Sequence, residues 1–440
     1  MNIRKLIATV ITGVSLLGFA GISLAANGAV PPASDINIYG SSAQFNFWKA
    51  TGATYLTDAG CLNVKTVTAP CDSNQVIVSS SNCNSIRITS KASWDGILAV
   101  AGNTTNPNLK SEATPQTETC TGAGNKTATP SSPAVYCTGY TRPMCADATC
   151  LATACETVTG GATDVAAGDI TQLSSGQLNG PLNGGAITRN FTGAGALATS
   201  NGSLLDTATQ KPLVDCQEVV VPFGFWVSSD LAGSVTNLNQ VDVRMIFSGQ
   251  IQNWSDLGIT VPAASNPINV CWRHAGSGTS ATLQLTQMTP AELYATGEVV
   301  NGAGQFNYYF NDGTGNEQDC VNTLTGAVGY WDADKTYGAG VSHAANVIPV
   351  TFNGITTSGV GQGPALKAMI EAGQYDFWTV ENLFEQLNNN DMANLCSYLQ
   401  NAGNNGIAMP DAWYAYTCQL DFTKSGNSSY MGYSGHTCPQ

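Results

Sequence analysis

Residues 270–279, VCWRHAGSGT, join a short apolar stretch to a glycine-rich turn, and residues 280–288 continue in a helical pattern. The apolar residues predict a strand, and the two glycines permit the tight turn that leads into a helix. The same order of strand, polar turn and helix occurs at residues 36–55 and again at 86–100. Repeated strand-to-helix steps predict an α/β fold.

Composition limits the class of protein further. The 440 residues include 16 Lys and Arg against 30 Asp and Glu, a formal charge of -14, and only 10% of the residues are charged. Because the few basic residues are scattered, the chain has no basic surface for nucleic acid. The 43% of hydrophobic residues can form a substantial core, and at this length two lobes are expected. The apolar run at 219–227, VVVPFGFWV, predicts a buried strand where the chain crosses to a second lobe.

Residues 1–26 have the pattern of a secretion signal, and we therefore expect an exported protein. Arg4 and Lys5 precede an apolar run, and small residues end it at Ala25 and Ala26. The run is long enough for an uncleaved membrane anchor, which is the alternative, but its small-residue ending favours cleavage.

Fourteen cysteines follow this signal, an even number that predicts up to seven disulfides in an exported chain. Five of them lie between positions 120 and 155, in a Thr-, Asn-, Pro- and Ser-rich segment that we interpret as an insertion over about 101–158. The sequence contains no CxxC pair, and its three histidines are not spaced like zinc ligands, so no metal or other cofactor is predicted. The connectivity of the disulfides stays open.

The turn at residues 273–279 also carries chemistry. Backbone N–H groups that converge at a glycine-rich helix start bind anions, and Arg273 can add two parallel hydrogen bonds to an oxyanion. Ser277 and Thr279 supply hydroxyl donors. Plain turn and cap chemistry is the competing interpretation of this stretch.

Three earlier segments have a similar character. The turns at 40–45 and 89–91 each bring N–H groups to a helix start, and the small-residue loop at 161–166 contains Asp164. Taken alone, each of them is more typical of a cap or a turn than of a ligand contact.

Three sequences in this order and spacing resemble the periplasmic phosphate-binding proteins of phosphate ABC transporters. They are VRMIFSGQIQNWSD at 243–256, RHAGSGT at 273–279 and GAVGY at 326–330. The turns at 40–45 and 89–91 and the Asp164 loop match earlier anion-contacting segments of that family. The resemblance covers most of the chain after the signal, except the insertion and the C-terminal tail.

The resemblance implies a two-lobed periplasmic binding protein fold of type II, in which each lobe is a mixed sheet flanked by helices. The disulfide-rich insertion is added to the first lobe. The implied organisation is a signal at 1–26, lobe 1 at 27–217, lobe 2 at 218–334, and a return to lobe 1 with a C-terminal tail at 335–440.

The resemblance also implies a set of phosphate ligands. They are the backbone N–H groups of Gln44 and Phe45, the hydroxyl and N–H of Ser90, the guanidinium of Arg273, the second helix start at Ser277, Gly278 and Thr279, and the carboxylate of Asp164. Asp164 would set selectivity, because a carboxylate accepts a hydrogen bond only from an oxyanion that keeps a proton. Lys91 is a further candidate.

The sequence departs from the family at Ala275, where an aspartate is usual, at Gln44, which replaces a threonine, and at Lys91, which replaces a small residue. These departures leave the identity of the oxyanion open.

The resemblance implies a monomeric, exported solute-binding protein. It would capture inorganic phosphate or a related oxyanion for an inner-membrane ABC permease. The implied location is the periplasm. No nucleophile and base arrangement of a hydrolase stands out, so no enzyme is predicted. The alternative is an extracellular or surface structural or adhesive protein that reuses the fold, which low charge and dense disulfides also suit.

Overall fold

The computed structural model describes most of the chain after the predicted signal. The described residues are 28–70, 72–102, 118–120, 126–128, 137, 139–167, 175–178, 187–190, 204–209, 211–274, 276–288, 307–311, 313–359, 362–386, 388–404, 413–424 and 431–435. The signal predicted at 1–26, much of the insertion and Ala275 lie outside these residues. Among the described helices, none combines the length and apolar character that a membrane span requires.

Strands and helices alternate along much of the chain. The strands are β1 Ile36–Ser41, β2 Lys65–Ala69, β3 Asp72–Ser79, β4 Ile86–Lys91, β5 Glu118–Cys120, β6 Lys126–Ala128, β7 Thr141–Cys145, β8 Thr153–Thr157, β9 Gly160–Thr163, β10 Ser175–Leu178, β11 Ile187–Asn190, β12 Val214–Ser228, β13 Asn237–Leu238, β14 Asn269–Arg273, β15 Tyr308–Asn311, β16 Ala327–Asp332, β17 Val347–Phe352, β18 Trp378–Glu385, β19 Ala415–Tyr416, β20 Phe422–Lys424 and β21 Met431–Tyr433. The helices are α1 Phe45–Asp58, α2 Ser93–Val100, α3 Gln240–Phe247, α4 Gly278–Thr286, α5 Thr314–Thr323, α6 Gln362–Glu371 and α7 Asn390–Asn404.

The long strand β12 belongs to both lobes. Its first part, from Val214 to Pro222, pairs with β18, and its second part, from Phe223 to Ser228, pairs with β16 on one side and β17 on the other. The apolar run predicted as a buried crossing strand is this element, and its residues from Val219 to Val227 are buried. Two sheets are thereby joined through one continuous backbone.

The first sheet has the order β12-β18-β9-β1-β4-β3-β2. Strands β9, β1 and β4 are parallel, and helix α1 follows β1 while α2 follows β4. Parallel neighbours need such crossover connections, which is the physical reason for the strand-to-helix pattern of the sequence. Both segments that predicted this pattern, 36–55 and 86–100, form a strand and a helix.

The second sheet has the order β15-β14-β16-β12, with β17 on the far side of β12. Strands β15, β14 and β16 are parallel, and α4 follows β14 as the opening stretch of sequence predicts. The predicted return to lobe 1 at residue 335 stays a prediction, but the position of β17 beside the second part of β12 favours a return after Phe352.

Disulfides cross-link both halves of the molecule. The bonds between described cysteines are Cys61–Cys83, Cys137–Cys155, Cys145–Cys150, Cys216–Cys396 and Cys271–Cys320. No described cysteine is free, which agrees with the disulfide prediction. Two of these bonds lie in or beside the predicted insertion, and one joins β12 to α7 across 180 residues of sequence.

Candidate functional site

The carboxyl ends of the parallel strands converge between the two sheets. In the first sheet β1 ends at Ser41 and β4 at Lys91, and in the second sheet β14 ends at Arg273 and β15 at Asn311. Helices start just beyond each of these strands, so their N-terminal N–H groups collect at the same place. Ligands of open α/β sheets bind outside the carboxyl ends of the strands.

A cleft of about 800 Å³ lies at this position. Its lining from the first sheet consists of Ser42, Phe45, Asn46, Ser73, Asn74, Ser90, Lys91 and Ala92, and its lining from the second consists of Arg273, Gly313, Thr314, Gly315, Asn316, Gln318, Asp334, Lys335, Thr336 and His343. Four of the residues predicted from the sequence, namely Phe45, Ser90, Lys91 and Arg273, are among them.

Arg273 is the buried cation of the cleft, with 2% of its surface exposed. Its Nη1 donates to the hydroxyl of Thr314, 2.9 Å away, at the first residue of α5. Burial raises the pKa of Glu317, one turn further along α5, well above its usual range, although the charge of Arg273 acts in the opposite direction. The start of α5 therefore positions the guanidinium of Arg273 through Thr314.

Lys335 is a second cation of the cleft, and it is engaged with acidic groups. Its Nζ lies 2.7 Å from the carboxylate of Asp332 and donates to the carbonyl of Ser42 at 3.3 Å. Burial by itself would lower the pKa of Lys335, but the carboxylates of Asp332 and Asp334 outweigh burial and raise it. The lysine is charged at neutral pH, and its charge is largely balanced within the protein.

Several hydrogen bonds connect the two lobes around the cleft. The hydroxyls of Ser42 and Thr314 are 3.1 Å apart, and the amide of Asn46 donates to Asp334 at 2.7 Å. Deeper in the molecule, the backbone N–H of Trp94 donates to the carbonyl of Gly276 at 3.2 Å. The lobes are in direct contact in this structure.

Asp164 lies beneath the cleft rather than on its lining, with 1% of its surface exposed. Its carboxylate accepts hydrogen bonds from three hydroxyls, those of Ser41, Ser93 at 3.1 Å and Thr279 at 2.9 Å. Burial raises the pKa of Asp164, and these hydroxyls oppose that increase by stabilising the charged form. Asp164 thus joins the start of α2 in one lobe to the start of α4 in the other.

The helix start at Ser277, Gly278 and Thr279 serves the same contact. The hydroxyl of Ser277 accepts from the N–H of Ser280 as an N-cap, which is the competing interpretation that the sequence left open. A Cβ atom on Gly278 would come within 2.4 Å of the Ser93 hydroxyl and 2.8 Å of Asp164, so only glycine fits between the lobes here. These three residues do not line the cleft.

The side chain of Gln44 points into the first lobe. Its amide nitrogen donates to the carbonyls of Thr163 and Asn382, and its amide oxygen accepts from the indole of Trp48 at 2.6 Å. The resemblance implies a ligand contact only for the backbone N–H of Gln44. Its side chain stabilises the first lobe through these hydrogen bonds. The next residue, Phe45, begins α1 and lies on the cleft.

Sequence reasoning missed the start of α5 and the region of Lys335. A signal for α5 was present in the sequence, because Tyr308–Asn311 is an aromatic strand followed by Gly313, Thr314 and Gly315, another strand, glycine turn and helix. No comparable pattern marks Lys335, which reaches the cleft only through the packing of the lobes. Within the described ranges, no group of three or more His, Cys, Asp or Glu residues is arranged to hold a metal ion.

The sequence matches a known family model over part of its length. Residues 182–394 match the family model of the PBP superfamily domain. This segment includes β12 to β18, and therefore the second sheet, Arg273 and α5. The match covers just under half of the chain and supports the expected resemblance over that segment. The parallel strands and helices described above confirm the expected α/β class.

Three solved structures illustrate the likeness. A putative phosphate ABC transporter substrate-binding protein with bound phosphate from Clostridium perfringens is 14% identical, with 85% of this chain and 94% of that chain covered and a TM-score of 0.41. An ABC-type phosphate transport receptor from Vibrio cholerae is 13% identical, with 83% and 93% covered and a TM-score of 0.38. A phosphate-binding protein from Stenotrophomonas maltophilia is 18% identical, with 55% and 69% covered and a TM-score of 0.33. No curated protein matches the chain.

Proposed function

We propose that this protein is an exported solute-binding protein that captures phosphate, or a closely related oxyanion, between its two lobes. The observation that carries the proposal is the position of Arg273, a buried arginine at the end of a parallel strand that lines an interlobe cleft. A buried guanidinium in a polar cleft is suited to two parallel hydrogen bonds with an oxyanion.

The surroundings of Arg273 favour an anion over a neutral ligand. The first turns of α1 and α5 contribute Phe45, Thr314 and Gly315 to the lining, and helix N-termini carry a positive partial charge. Lys91 adds a further positive charge from the other lobe. The net charge of -14 affects the approach of an anion more than its binding, because the local groups dominate at contact distance.

Delivery to an inner-membrane ABC permease from the periplasm completes the proposal, and it rests on the family resemblance and the predicted signal. In this role the protein binds and releases its ligand unchanged and is not an enzyme. Closure of the lobes on the ligand would present one defined surface to the permease.

Calorimetric titration of the mature, ligand-stripped protein with phosphate, arsenate and sulfate tests the proposal. We expect phosphate to bind with micromolar or stronger affinity and Arg273→Ala to weaken it at least 100-fold. Arg273→Lys keeps the charge but not the planar fork, so an intermediate loss is expected. Lys65→Ala, at an exposed position on β2, is the control for general charge effects.

The Asp164→Asn variant separates two roles of that carboxylate. If Asp164 sets selectivity as the resemblance implies, the variant loses the preference for phosphate over sulfate. If it only joins the lobes through Thr279, both affinities change in parallel. Absence of heat with all three oxyanions would refute the proposed function and favour the structural or adhesive alternative.

A further inference from the structure

We propose, on the basis of the proposed function, that the physiological ligand is a phosphate monoester of a small polyhydroxylated compound rather than inorganic phosphate. The phosphoryl group would lie at Arg273 and Lys91, and the organic group would occupy the rest of the cleft. The residues around the organic group would form a second part of the site, which makes no contact with the phosphoryl oxygens.

The first argument is size. Inorganic phosphate has five non-hydrogen atoms, which take roughly 150 Å³ if each has the volume share of a water molecule. The cleft of about 800 Å³ is several times larger. It lies within the range of about 300 to 1,000 Å³ that is typical of sites for organic ligands.

The two lobes touch each other beside this cleft. Thr279 of the second lobe donates to Asp164 of the first at 2.9 Å, and Asn46 donates to Asp334 at 2.7 Å. The space therefore belongs to a conformation in which the lobes already meet.

The second argument is the position of the additional lining. Along α5 the lining continues from Thr314, which holds Arg273, to Gln318, about 6 Å further at 1.5 Å per residue. In the other lobe, β3 and β4 pair antiparallel, with Gln75 opposite Thr89. Asn74 and Ser73 are therefore next to Ser90 and Lys91, on the side of β4 away from β1. Both walls extend in this way beyond the cationic groups.

The third argument is the chemistry of that lining. The additional residues carry amides, hydroxyls and an imidazole, namely those of Ser73, Asn74, Asn316, Gln318, Thr336 and His343. The Nδ1 of His343, whose side chain is 52% exposed, lies 2.7 Å from the carboxylate of Asp319. Sites for apolar ligands are lined mainly by aliphatic and aromatic side chains, whereas this set matches a ligand with several hydroxyl groups.

The state of Asp164 is consistent with an ester. Its carboxylate is occupied by three hydroxyls beneath the cleft, so it does not require a fourth phosphate oxygen that carries a proton. A phosphoryl group held by Arg273 and Lys91 can then direct its ester oxygen into the remaining space.

Titration with inorganic phosphate, glycerol 3-phosphate and glucose 6-phosphate tests the inference, with glycerol and glucose as neutral counterparts. We expect at least one ester to bind ten times more tightly than inorganic phosphate, and the neutral compounds to bind at least 100 times more weakly than that ester. The double variant Asn74→Ala with Gln318→Ala should weaken the ester at least tenfold and change the affinity for inorganic phosphate less than twofold. Gln252→Ala, exposed and outside the cleft, is the matched control.

The outcomes distinguish the inference from the function on which it rests. If inorganic phosphate binds as tightly as both esters, or if the double variant weakens both ligand types equally, the inference is refuted while the proposed function stands. If neither phosphate nor an ester binds, the proposed function fails as well.

Discussion

Replacement of Gly278 by alanine tests how the two lobes are held together. Gly278 is the first residue of α4, and its Cα faces Ser93 and Asp164 of the other lobe. An added Cβ would lie 2.4 Å from the Ser93 Oγ and 2.8 Å from the Cβ and Cγ of Asp164. The serine hydroxyl can rotate away, but the Cβ of Asp164 is fixed by the backbone, so the helix start must move.

The size of the effect follows from two opposing terms. Overpacking of a buried site costs about 1 to 3 kcal/mol. Alanine regains up to about 1 kcal/mol over glycine through its higher helix propensity. We therefore expect Gly278→Ala to lose about 1 to 2 kcal/mol of stability, most of it from the contact between lobes.

Urea unfolding at neutral pH measures this loss, and small-angle X-ray scattering measures the separation of the lobes. We expect a lower unfolding midpoint and a larger radius of gyration for Gly278→Ala. Gly432→Ala is the matched control, because a Cβ at Gly432 would meet no atom within 4 Å. A Gly278→Ala variant with the stability and radius of wild type would show that the contact through Asp164 does not hold the lobes together.

Three further predictions concern the supporting structure. Burial raises the pKa of Glu385 from 4.5 to about 7, so this carboxyl holds its proton more tightly in the folded state, and its contribution to stability is lost as the pH rises through 7. Between pH 4 and pH 8, Glu385→Gln should therefore gain about 3 kcal/mol of stability relative to wild type. Urea unfolding at both pH values measures this difference, and a difference that does not change with pH would contradict the assignment. Replacement of both Cys216 and Cys396 by serine removes a cross-link between positions 180 residues apart. The loop-entropy relation gives a loss of about 5 kcal/mol of stability. A thermal unfolding midpoint equal to that of wild type would exclude a stabilising role for this disulfide. Gln44→Ala removes buried hydrogen bonds and should lower the free energy of unfolding in urea by about 1 to 3 kcal/mol. Its oxyanion affinity, measured by calorimetry, should stay within twofold of wild type. A large loss of affinity without a loss of stability would place the Gln44 side chain in the site instead.

Local sequence was sufficient for the elements and for part of the site. The strand, glycine turn and helix at residues 270–288 predicted β14 and α4, and the apolar run at 219–227 predicted the crossing strand β12. Arg273 could be named as a candidate because a strand end before a helix start places its side chain at the sheet edge. Such inferences depend on the periodicity of neighbouring residues and on backbone sterics, which act over a few positions.

The tertiary structure decided which groups face the cleft. Asp164 meets Thr279 across 115 residues of sequence, and Asn46 meets Asp334 across 288 residues. No local pattern determines such contacts, because they depend on how two sheets joined through β12 pack their strand ends together. The sequence by itself therefore determined the α/β elements, the dense disulfides and an arginine beside a helix start. Packing between the lobes placed Asp164 beneath the cleft and brought the start of α5 and Lys335 to its lining.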